Sequence, residues 1–151
     1  MKIITPDELA EIDLFLQAWP HVTLATSDAH GKVQAAVIGV AVSERRELVF
    51  DTLESTRKYP NLIANPQVAV TIGWDDHRTI QLEGTAELLV PGTATYASLQ
   101  ALYLGRFPSG SERVGWPGIA YFRVRPTWLR YSDYRSGEPR IFELAAATLA
   151  H

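Results

Sequence analysis

Short runs of β-branched and aromatic residues separated by tight turns dominate this chain, and that pattern constrains the fold more than any other feature. Val22 to Thr26 and Val33 to Val42 flank the turn Asp28-Ala29-His30-Gly31 and read as a hairpin. A second turn at Ser43-Glu44-Arg45-Arg46 leads into a strand carrying Leu48-Val49-Phe50. Gln67 to Trp74 meets Arg78 to Val90 across Asp75-Asp76-His77, and Pro91-Gly92 ends that run. Ile119 to Arg125 and Trp128 to Tyr134 follow, then a turn at Ser136-Gly137-Glu138-Pro139 and a last strand, Arg140 to Leu144. Parallel neighbours need crossovers of a dozen or more residues, usually helical, and most of these connections are too short for one. The expected fold is therefore mainly β, an antiparallel barrel with peripheral helices rather than a doubly wound sheet.

Three helices are expected around it. Thr5-Pro6-Asp7-Glu8 is a capping box with Pro at the first helical position, and Leu9, Ile12, Leu16 and Trp19 give the apolar stripe. A second helix runs toward Ala64 and is broken by Asn65-Pro66, and a third covers Thr93 to Leu104. The Gly/Pro/Ser-rich stretch Gly105 to Gly118 reads as a surface loop. No linker or repeat interrupts the chain; the one low-complexity tract is Ala145-Ala146-Ala147. Residues 1–151 are expected to form one domain, which at this length buries roughly 70% of its unfolded surface without a staple.

Composition narrows the chemistry. With 14 basic and 17 acidic side chains the net charge is -3, against partners held by bulk positive charge such as nucleic acid or an anionic membrane. The absence of cysteine excludes disulfides, thiolate metal sites and a thiol nucleophile. Met1-Lys2-Ile3-Ile4-Thr5-Pro6 resembles neither a signal peptide nor an anchor, so the expected location is cytoplasmic. His21, His30, His77 and His151 show no ligand spacing, and no metal site is expected. Serine-hydrolase, P-loop and Rossmann motifs are absent.

The run Phe50-Asp51-Thr52-Leu53-Glu54-Ser55-Thr56-Arg57-Lys58 is the strongest chemical signal. It sets hydroxyls and two cations directly after an apolar strand, with Ser55 or Thr56 as the expected N-cap of the second helix. A first helical turn ordinarily favours Asp and Glu, so Arg57 and Lys58 there imply a bound anion, most simply a phosphate. A solvated basic helix start is the plainer account. Near the C-terminus Arg123, Arg125, Arg130 and Arg135 make a cationic stripe, read either as solvated surface or as a contact for an anionic substrate or partner subunit. Trp116 lies in the loop Arg113-Val114-Gly115-Trp116-Pro117-Gly118, as a lid or as a pin holding the loop to the barrel. Gly39 and Gly73, inside apparent strands, mark either close approaches or bulges.

With these residues in view, the chain resembles the FMN-binding split β-barrel family typified by pyridoxamine 5'-phosphate oxidase. The resemblance spans nearly the whole length: Ala25-Thr26 with Asp28 and His30-Gly31, Phe50-Asp51-Thr52 with Thr56-Arg57-Lys58, Asn65-Pro66, Trp74, and Arg78 through Gly84. It implies a six-stranded antiparallel split barrel and a homodimer that builds two FMN sites across its interface. It also implies that Arg57 and Lys58 grip the phosphate with Thr52, Ser55 and Thr56 nearby. Thr79 stands where the oxidase has a glutamine at the flavin, and Gln81, two residues on and on the same strand face, is expected to take that contact. Tyr134 matches an aromatic residue that packs at the flavin from the partner subunit.

Ala36 and Ala41 replace an Arg and a Lys of the oxidase, and Phe142 and Leu144 replace its His and final Arg. Of the substrate-phosphate set only Arg140 remains, so pyridoxamine phosphate is not the expected substrate. The resemblance thus implies an FMN-dependent oxidoreductase acting on another small molecule, with Arg140 and Trp116 as substrate contacts. The alternatives are a flavin-binding or storage module without turnover and an F420-dependent reductase of the same fold. Haem is disfavoured because no histidine occupies a clearly suitable barrel position.

Overall fold

The computed structural model describes residues 3–151; Met1 and Lys2 of the opening segment lie outside the described residues. Helix α1 (Pro6–Ala18) starts as its capping box requires: the Glu8 N–H donates to the Thr5 hydroxyl at 3.2 Å, and the Thr5 N–H donates to the Glu8 carboxylate at 2.9 Å. Its buried face is Ile12, Phe15 and Leu16, so Phe15 joins the stripe expected from the sequence.

Eight segments form one antiparallel sheet: β1 (His21–Ser27), β2 (Val33–Gly39), β3 (Ala41–Val42), β4 (Leu48–Leu53), β5 (Gln67–Ile72), β6 (Arg78–Leu88), β7 (Ile119–Asp133) and β8 (Arg140–Ala145). The order β2-β1-β5-β6-β7-β4-β3 begins and ends on segments separated by Val40 alone. β2 and β3 are therefore parts of one interrupted strand, and the curled wall has the six strands expected, with β8 added against β7. Period-two burial points Val22, Leu24 and Thr26 of β1 and Val68, Val70 and Ile72 of β5 inward. The interior is closed by Phe50 stacked on Phe122, ring centroids 5.6 Å apart, with Tyr59 edge-on to Phe122.

Ile119–Asp133 is a single strand, where the sequence suggests a break at Pro126-Thr127. Proline has no N–H to give the ladder, and the register shifts there: Glu83 pairs with Trp128 and Gly84 with Pro126. Thr127 is left over as a bulge residue, its hydroxyl donating to the Glu83 carbonyl at 3.2 Å, so the proline is absorbed without ending the strand.

The Gly105 to Gly118 stretch is likewise more ordered than a loop. Helix α2 spans Lys58–Ala64, and α3 (Ala94–Arg106), capped by Thr93, runs on into a 3-10 helix over Pro108–Arg113. Arg113 then ties the segment to the barrel: its Nε donates to one Asp51 oxygen at 2.9 Å, while the Tyr103 hydroxyl donates to the other at 2.9 Å. Burial, then the Asp51 charge, push the Tyr103 hydroxyl well above its usual pKa, so it keeps its proton. The alanine tract ends in α4 (Ala146–Leu149), which buries Leu149.

Gly39 and Gly73 are close approaches, made by the protein's own rings. A Cβ on Gly39 would lie 2.9 Å from the Phe107 ring, and one on Gly73 would lie 2.5 Å from the Phe15 ring. Gly73 also has φ of +75°, which a side chain disfavours.

Candidate functional site

The β4–α2 turn carries the expected phosphate residues, with one correction. α2 begins at Lys58 with Arg57 as its cap residue, and no side chain caps it, so neither Ser55 nor Thr56 is the N-cap. The Thr56 hydroxyl instead donates back to the Leu53 carbonyl at 2.9 Å. Since a hydroxyl has one hydrogen, the 2.8 Å contact between Thr52 and Thr56 must be donated by Thr52. Both threonines therefore spend their hydrogens holding the turn, and Ser55 is exposed.

The cations are in a different position. Among the described residues neither Arg57 nor Lys58 forms an ion pair, although eight other arginines do. Lys58 is partly buried, and that desolvation alone lowers its pKa, with no carboxylate to oppose it. A half-buried ammonium without a counter-charge fits a site whose anion comes from a ligand. Together, two unmatched cations and the free Ser55 suit a phosphate monoester.

Beside this turn lies a groove of about 240 Å3 lined by Asp28, Lys32, Gln34, Arg57 and Asn61. Asn61 is fixed by donating to the Thr26 hydroxyl at 3.1 Å, and Gln34 Oε1 is buried without a hydrogen-bond partner. The sequence reading missed Lys32 and Gln34; the available signal was a cation immediately after the turn glycine, Gly31. The loop that carries Trp116 meets the same turn through Gly118. The Trp116 ring is about half exposed, and the Glu54 N–H donates to the Gly118 carbonyl at 2.8 Å.

Thr79 and Gln81 form a second patch, on the outer face of β6. Gln81 lies in register between Thr71 of β5 and Arg130 of β7, in a shallow groove of about 300 Å3 that Trp128 also lines. No hydrogen bond among the described residues joins this patch to the β4–α2 turn.

Tyr134 and Arg140 form a third. Tyr134 is half exposed just past the end of β7, its N–H donating to the His77 carbonyl at 2.9 Å. Thr52 pairs with Ala120 near the start of β7, so up to roughly 45 Å of extended strand separates the two regions. Arg140 donates to both Glu11 oxygens, at 3.1 and 2.9 Å, and to Asp133 at 3.3 Å. The Arg140 hydrogen bond in turn holds the Glu11 carboxyl below its ordinary pKa. The arginine stripe is neutralised in the same way: Arg123 and Arg125 pair with Glu87, Arg130 with Glu143, and Arg135 with Asp133. Among the described residues, no group of His, Asp and Glu is placed to hold a metal ion, and no helix is long and apolar enough to cross a membrane.

A family model described as pyridoxamine 5'-phosphate oxidase matches residues 9–133. The chain belongs to this family. A pyridoxine/pyridoxamine 5'-phosphate oxidase of Paraburkholderia phymatum is 29% identical over 126 residues, covering 83% of this chain and 49% of that protein. The chain thus spans about half the length of this relative. Among solved structures, a heme binding protein from Mycobacterium smegmatis superposes with a TM-score of 0.82 at 17% identity, covering 98% of this chain and 62% of the other. A pyridoxamine 5'-phosphate oxidase-related, FMN binding protein from Nostoc punctiforme superposes with a TM-score of 0.69 at 12% identity, covering 94% and 91%. At these identities the superpositions establish the split-barrel fold of the family member and leave its ligand to the residues themselves.

Proposed function

We propose that this protein is an FMN-dependent oxidoreductase of the pyridoxamine 5'-phosphate oxidase family, working as a homodimer on a small substrate other than pyridoxamine phosphate. The observation that carries the proposal is the pair Arg57 and Lys58, adjacent cations without carboxylate partners among the described residues, where eight other arginines are paired. They bind the phosphate, with Ser55 offering its hydroxyl. Thr52 and Thr56 keep the turn in shape through their mutual hydrogen bond. Gln81, with Thr79 beside it, supplies polar contacts for the ring from the outer sheet face.

When bound, the isoalloxazine supplies hydride and electron transfer, so no acid–base triad is required of the chain. What the chain must do is hold the phosphate, orient the ring and keep water from one face of it. The long separation of Tyr134 from Thr52 along β7 supports Tyr134 acting at the partner's site. The outer face of β2, β1 and β5 supports the dimer. Ala35, Ala25 and Ala69 lie side by side in register there, with Val33 and Val37 left 76% and 66% exposed, a flat apolar surface suited to a second copy.

The substrate conclusion rests on Arg140, whose guanidinium is already matched by Glu11 and Asp133 and has no charge to spare for a substrate phosphate. The same observation favours a second reading, a flavin carrier without turnover. Anaerobic mixing of the FMN-loaded protein with a nicotinamide donor separates them. Bleaching of the flavin, reversed by an acceptor, supports the oxidoreductase; tight FMN with no bleaching supports the carrier. Preferential retention of F420 would move the function to that cofactor.

A further inference from the structure

The groove between the β1–β2 turn and α2 contains a cation that none of the roles above uses. Lys32 and Arg57 reach it from separate elements and, among the described residues, neither forms an ion pair. Asp28 is the acid of the lining. Its Oδ1 accepts the backbone N–H groups of Lys32 at 2.9 Å and His30 at 2.8 Å, which holds its carboxyl below the usual range and sets the backbone of Lys32 at the rim. Gln34 adds a buried oxygen with no donor, and a volume of about 240 Å3 has room for roughly eight waters, enough for an oxyanion and the atoms attached to it.

We propose that Lys32 is a phosphate-binding residue, carried by the β1–β2 turn, which closes with Arg57 and Lys58 on a single phosphate ester. The charges support one such group. Within the groove lining Lys32 and Arg57 against Asp28 leave one positive charge, Lys58 next to Arg57 in the chain adds a second beside it, and a phosphate monoester carries between 1.5 and 2 negative charges near pH 7. A hydrogen-bond donor on the bound ester would satisfy the orphaned Gln34 oxygen. That the ester is a flavin rests on the function proposed above; the anion site stands on Lys32 and Arg57 themselves.

The test compares inorganic phosphate, FMN and riboflavin as ligands of the full chain and of Lys32→Gln, Lys32→Arg and Arg57→Gln. Lys32 is exposed, so its variants should fold as the parent does. We expect Lys32→Gln to weaken phosphate and FMN about tenfold, the scale of one charge-assisted hydrogen bond, and to leave riboflavin unchanged, with Lys32→Arg restoring the loss. Lys32-dependent phosphate binding in a protein that takes neither flavin would sustain the anion site and sink the flavin reading. FMN and phosphate affinities indifferent to Lys32 would overturn the anion site and leave the flavin reading standing.

Discussion

The arginines at the C-terminal end of β7 and the cations that follow β4 carry the same charge in opposite circumstances. Arg135 and Arg140 share the buried carboxylate of Asp133, and Arg140 also holds Glu11, which in turn accepts from the Tyr131 hydroxyl at 2.9 Å. Burial, then Glu11, push that hydroxyl up to about 12, so it remains a donor at neutral pH. Every charge in this cluster has a partner supplied by the chain, and its work is to fasten α1, β7 and β8 together. At the β4–α2 turn Arg57 and Lys58 form no ion pair among the described residues, although Glu54 stands in the same turn. Cationic sequence alone does not separate the two regions; which cations the fold pairs with carboxylates does.

Four changes would break or sharpen this contrast. The largest effect is expected for Lys58→Glu, which should weaken FMN at least 100-fold by placing a carboxylate where the phosphate sits, without lowering the urea midpoint, because an acid at a helix start is favourable. Fluorescence titration alongside urea unfolding checks both halves. In the matched cluster the pattern should invert. Asp133→Asn leaves Arg135 and Arg140 short of their shared partner and should cost about 2 kcal/mol in unfolding, with FMN affinity unchanged.

The pH dependence follows from the same carboxylates. The Arg135 hydrogen bond holds Asp133, and the Arg140 hydrogen bond holds Glu11, below their ordinary pKa values. A carboxyl depressed in the folded state binds its proton more readily when unfolded, so its contribution is complete above pH ~5 and lost as pH falls through 4 and below. Urea midpoints measured from pH 7 to pH 3 should fall, and the slope should be shallower in Asp133→Asn. The smallest effect belongs to Arg130→Ala, whose 3.5 Å pair with Glu143 lies on the surface and should be worth less than about 0.5 kcal/mol.

Much of the fold could be read from the sequence because its signals are local. The Thr5–Glu8 box, the Asp28–Gly31 turn and the Asn65-Pro66 stop each act within a few residues, and tight turns leave little choice but antiparallel pairing. The bulge at Thr127 was hidden because a strand tolerates Pro126 only through its neighbour's register, which lies in β6. The Pro108–Arg113 helix was hidden for the same reason, since Asp51 anchors Arg113 from a distant segment. At the site, Arg57 and Lys58 announced themselves by adjacency. Which arginines were neutralised could not be read: Arg140 meets Glu11 across nearly the whole chain, and Lys32 shares a groove with Arg57 only once the hairpin is folded.

The central claim is that Arg57 and Lys58 are left unmatched because a flavin phosphate matches them. The most direct measurement is the visible absorbance of the protein after incubation with FMN and desalting, taken beside an Arg57→Ala, Lys58→Ala double variant that unfolds at the same urea concentration. Flavin absorbance retained by the parent and lost by the variant is the predicted result. Equal retention by both, or retention by neither, would contradict it.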